Sequence, residues 1–180
     1  MVGSMPGANR FAELAADLFN GWGFNFYRRA NLLRADDLIV RGKVSELLAA
    51  ARVSVQAAER AYRLEFLPAP SREKPRPDAA AVRDAQMLER FGGAIGRLEG
   101  RIRALPVPEP DRMAQLARGE ADTLSRLLEA DQALVGHAEF LRSILHDADA
   151  AWMLGNADLL SEQIAALETA LQARRDLLVF

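Results

Sequence analysis

The chain has 180 residues, a formal net charge of −2 and no cysteine, with a pI near 5.8. That length suits one domain with a sizeable core. The slightly acidic balance argues against a nucleic-acid surface, which shows as a basic excess. The missing cysteine excludes a disulfide framework and thiolate chemistry. No basic segment leads into an apolar run at the start, so no signal peptide is expected and a cytoplasmic location is. Charge is uneven: residues 1–110 hold 17 basic and 13 acidic side chains, residues 111–180 hold 6 and 12.

In chain order, the first predicted element is a short amphipathic helix over 9–20, with Phe11, Leu14, Leu18 and Phe19 on one face. The stretch LFNGWGFNFYRR follows from Leu18. Half of the twelve aromatic residues fall between Phe11 and Tyr27. Phe19, Trp22, Phe24, Phe26 and Tyr27 either plug the end of the fold or form an interface, where large aromatics carry much of the binding energy. A membrane-surface anchor is disfavoured, because the polar face of the first helix (Arg10, Glu13, Asp17, Asn20) is net acidic.

A long helix is expected over 27–67. Val40, Val44, Leu47, Ala51, Val55, Ala58, Tyr62 and Phe66 repeat every eleven residues, which favours a nearly straight rod. Gly42 lies early in it as a candidate break. Val53, Ala57 and Leu64 form a second apolar row on nearly the opposite side. One bundle covers one stripe, so this second row calls for a second cover. PAPSREKPRP at 68–77 and PVPEP at 106–110 end helices, since proline lacks the amide hydrogen and restricts the residue before it.

Helix 78–105 should start on an Asp78 cap and bury Leu88, Phe91, Ile95, Leu98, Ile102 and Leu105, a coiled-coil-like heptad seam. Gly92, Gly96 and Gly100 form a row beside it. Glycine costs about 1 kcal/mol against alanine in a helix, so the row points to a face where another backbone comes close. The third helix is expected over 111–154. Gly155 and Asn156 then stop it and cap a fourth over 156–178, with Leu160, Ile164, Leu167, Leu171 and Leu178 on its apolar side. Such helices can bury their stripes only on each other, giving an all-α, elongated up-down-up-down four-helix bundle with the extra N-terminal helix, in one domain of 1–180.

Motifs for chemistry are sparse. A di-iron bundle needs Glu-x-x-His pairs, but Leu134 and Ser143 stand three residues before His137 and His146. HDAD at His146–Asp149 resembles a fragment of the pattern of the all-helical HD phosphohydrolases. The only upstream histidine, His137, lies on the opposite face of a continuous helix, so the two cannot share a metal. Both histidines are expected on partly solvated helix surface. No phosphate loop and no Gly-x-Ser-x-Gly elbow occur. No catalytic residue, metal or cofactor is therefore assigned, and the reading leans against an enzyme.

Asp131 falls on the heptad steps between Leu124 and Ala138, which makes it a candidate buried carboxylate. Such a group needs a partner, and 21 of the 23 basic residues are arginine. An Asp–Arg pair that fixes helix register is expected. The expected function is a non-enzymatic helical interaction protein (scaffold, adaptor or chaperone-like) that self-associates as a homodimer through the aromatic stretch, Val53, Leu64 and the glycine row. The alternative is a ligand-binding bundle or an unrecognised enzyme with a pocket near Asp131.

Overall fold

Residues 30–72, 75–105 and 121–178 are described by the computed structural model, and the side chains of 37–72, 75–105 and 126–177. The helix expected over 9–20, the aromatic stretch Phe19–Tyr27 and residues 111–120 lie outside them. Five helices are described: α1 (Ala30–Phe66), α2 (Ala79–Arg103), α3 (Ala121–Leu145), α4 (Ala150–Gly155) and α5 (Ala157–Leu178).

The 37 residues of α1 make a rod about 55 Å long. Its eleven-residue stripe is the buried one: Val40, Val44, Leu47, Ala51, Val55 and Ala58 are all in the core, Tyr62 is half-buried, and Phe66 at the end is exposed. The helix runs through Gly42 without a break. Asp78 starts α2 by accepting the Ala80 amide hydrogen at 2.9 Å, satisfying one of the amide donors a helix leaves free at its start. From there Leu88, Phe91, Ile95, Leu98 and Ile102 pack inward.

The third helix ends earlier than its pattern predicts. α3 stops at Leu145, residues 146–149 form a corner, and α4 starts afresh at Ala150. Asp149 drives the restart: its side chain accepts the Trp152 amide hydrogen at 2.7 Å. Asp147 and Asp149 are also poor company for the negative end of a helix. The corner shifts the register, so Met153 is buried while Trp152, which would continue the seam, reaches the surface. Asn156 closes α4 through its side-chain amide to the Trp152 carbonyl at 2.8 Å, and its own carbonyl accepts the Leu160 amide of α5.

Directions follow from a few contacts. Arg41, early in α1, donates to the carbonyl of Leu105, just past α2. Tyr62, late in α1, donates to Asp84, early in α2, at 2.9 Å. These two helices are antiparallel. α3 runs parallel to α1, since Asp37 and Asp131 share one arginine at one end while His146–Ala151 meets Ala50–Phe66 at the other. α5 returns. The bundle is thus elongated and all-α, with four long helices up, down, up, down and one short extra helix, α4. Around its circumference α1 packs on α2 and α3, α3 on α5, and α5 on α2. The chain therefore crosses the diagonal between α2 and α3.

Candidate functional site

Two features stand out from the packed frame. The first is a buried chain of charges at the end where α1 begins. Arg174 of α5 is 2% exposed, and its side chain reaches across the core. Its Nε donates to Asp131 of α3, and its Nη2 donates to Asp37 of α1 at 2.7 Å. Arg41 sits one turn along α1 from Asp37 and pairs with it at 2.9 Å, while its Nη1 donates to the Leu105 carbonyl. Two carboxylates and two guanidiniums thus tie together the four long helices, with no net charge left over. Burial pulls the Arg174 pKa down, but Asp131 and Asp37 more than offset it, so the guanidinium is held above its ordinary value.

The Asp131 expected from its seam position is buried and paired with arginine as its type requires. Its partners Asp37 and Arg174 were not singled out in the sequence, though the same rule could have found them. Stepping back from Val40 by three reaches Asp37, and stepping on from Leu171 by three reaches Arg174. A charged residue at a core step is the signal. Neutralised by Arg174, Asp131 does not present the free carboxylate that a catalytic pocket would need.

The second feature is at the opposite end. The upper half of α1 stands beside the corner between α3 and α4, leaving an open groove of about 1050 Å³. Ala50, Val53, Ala57 and Ala61 of α1 face Ala148, Ala151 and Leu154 across it. Val53 is 61% exposed and Leu64, one turn beyond Ala61, is 77% exposed. Glu65, Asp147 and Asp149 give the groove an acidic rim. The second apolar row of α1 is thus bare among the described residues, and it is not spent inside the bundle.

The glycine row is not a free face. Gly92 is buried against Val55 and Gln56 of α1, and Gly96 lies against Arg52. A Cβ on Gly92 would stand 3.7 Å from Val55 Cγ1, an ordinary contact, so the approach of α1 does not require glycine there. Gly100 faces open space. Two of the three glycines thus lie against α1, and among the described residues the third has nothing within 4 Å of a Cβ.

The histidines differ from each other. His146 is exposed, 3.9 Å from Asp147. His137 is half-buried, beside Gln163 of α5; burial lowers its pKa, and the Gln163 hydrogen bond only partly opposes this. Among the described residues no group of three or more His, Asp or Glu side chains could hold a metal ion. Among them, too, no helix is long and apolar enough to cross a membrane. No protein-family model, curated protein or solved structure matches the chain.

Proposed function

We propose that this all-helical bundle is a non-enzymatic interaction protein of the scaffold, adaptor or chaperone kind, and that it self-associates as a homodimer. The observation that carries the reading is the bare apolar row on α1, with Val53 and Leu64 turned to solvent along one side of the rod. Isolated exposed apolar residues are ordinary, but a contiguous strip beside a groove marks an interaction surface. A second copy is the partner chosen because twofold dimers are the commonest assembly. The pocket reading centred on Asp131 is not favoured, since Arg174 occupies that carboxylate.

Replacing Val53 and Leu64 together with glutamate tests the proposal. Both are surface positions of the single chain, so the helix content should stay close to that of the unchanged protein. Light scattering should then report a folded monomer from a chain that is otherwise a dimer. A variant that remains dimeric would show that the association does not use this row.

A further inference from the structure

We infer that the groove beside α1 is the seat of the aromatic N-terminal segment of a second copy of this chain, exchanged reciprocally in the dimer. The inference rests on the self-association proposed above and names the segment that fills the strip.

Three observations select this occupant. The groove has an apolar floor and an acidic rim formed by Glu65, Asp147 and Asp149. The segment Phe24–Arg29 offers the complement, with Phe24, Phe26 and Tyr27 followed by Arg28 and Arg29. The other apolar piece near that terminus, Phe11 to Phe19, has a net acidic polar face and meets the same rim with the wrong sign.

Reach then decides between the chain's own groove and its partner's. Ala57 lies 27 residues along α1 from Ala30, about 40 Å at the helical rise. Phe26 precedes Ala30 by four residues, which span at most about 14 Å even fully extended. Phe24, at six residues, gains only about 7 Å more. Neither ring reaches Ala57 of its own chain, the middle of the groove's α1 wall. An antiparallel neighbour removes the obstacle, because it sets the start of one α1 beside the end of the other.

The early part of α1 offers a place where two antiparallel rods can cross, beside Gly42. There Leu38 and Ile39 are 50% and 41% exposed, and nothing stands within 4 Å of a Cβ built on Gly42. The two rods can approach closely at that point, and each copy's aromatic segment then runs along the other's bare row, past Val53 towards Leu64.

The absence of cysteine makes the test clean, since introduced thiols are the only ones. A Phe26→Cys chain is mixed with an Ala57→Cys chain and oxidised mildly, with Ala61→Cys as a second position one turn on. A disulfide-linked species at twice 19.8 kDa should form in the mixture and not from either chain alone. Charge exchange supplies the second arm. Arg28→Glu with Arg29→Glu should weaken the dimer at least tenfold, and Glu65→Arg with Asp147→Arg in the same chain should restore it. A dimer by light scattering that gives no mixed disulfide at either position overturns this inference and leaves self-association standing. A monomeric unchanged protein overturns both. An intrachain disulfide in a monomeric Phe26→Cys/Ala57→Cys chain would show that the segment occupies its own groove, against the reach argument.

Discussion

At the scale of single residues, the buried charges act as a matched set. A buried ion pair adds little net stability, because the loss of water offsets the attraction. Removing one member is another matter. Arg174→Met should destabilise the fold by about 3–5 kcal/mol, because it strips Asp131 and Asp37 of the same guanidinium; urea unfolding measures it. Asp131→Leu combined with Arg174→Met should recover part of that loss, since Asp37 still has Arg41. Equal losses in the single and double variants would show that the two side chains are not coupled. His137 adds a pH dependence. Its depressed pKa means that the folded protein takes up a proton less readily than the unfolded chain, whose histidine titrates near about 6.5. Its contribution is therefore fully present above that value and falls as the pH drops below it. A His137→Gln variant should lose less stability than the unchanged protein between neutral pH and mild acid, and parallel losses would remove His137 as the cause. Asp131 could be read from the sequence because Leu124 and Ala138 bracket it at heptad steps. Asp37 and Arg174 obey the same rule but pass for solvated face, since arginine and aspartate usually mark the outside of a helix.

At the scale of elements, apolar period and caps carried most of the information. The eleven-residue stripe of α1, the seam of α2 and the Asp78 cap were all legible, because each depends on local spacing alone. The corner at residues 146–149 was not, since Leu145, Ala148 and Trp152 continue a heptad on paper. Only the capping geometry of Asp149 shows that the helix restarts. Asp149→Ala should therefore cost about 1 kcal/mol, and it should raise amide exchange at Trp152 before it affects α3. Uniform exchange along both helices would mean that Asp149 does not hold the corner. The glycine row was legible only in part: spacing shows that three glycines share a face, but not what that face meets. Gly100 is exposed with open space around it, so Gly100→Ala should stabilise the protein by about 0.5–1 kcal/mol without altering its mass in solution. A loss of stability or of assembly would return Gly100 to the interface.

At the scale of the whole molecule, the sequence implied four long helices but not their neighbours. The stripes are too alike for the pattern to say that α3 lies beside α1 rather than α2. Tertiary charges help set that order: Arg174 can meet Asp37 and Asp131 together only where α1, α3 and α5 converge. The same arrangement explains why α1 keeps a bare side. α2 and α3 flank its core stripe, α3 stops at Leu145, and the upper part of the rod continues past the corner with Val53, Ala57 and Leu64 uncovered. The candidate surface was thus half legible. The second apolar row is in the sequence, whereas the groove and its acidic rim exist only once the chain turns at residues 146–149. If a second copy covers this row, sedimentation equilibrium of the unchanged chain at tens of micromolar should give a mass of twice 19.8 kDa, dissociating to the single value on dilution; a mass of 19.8 kDa at every concentration would rule the dimer out.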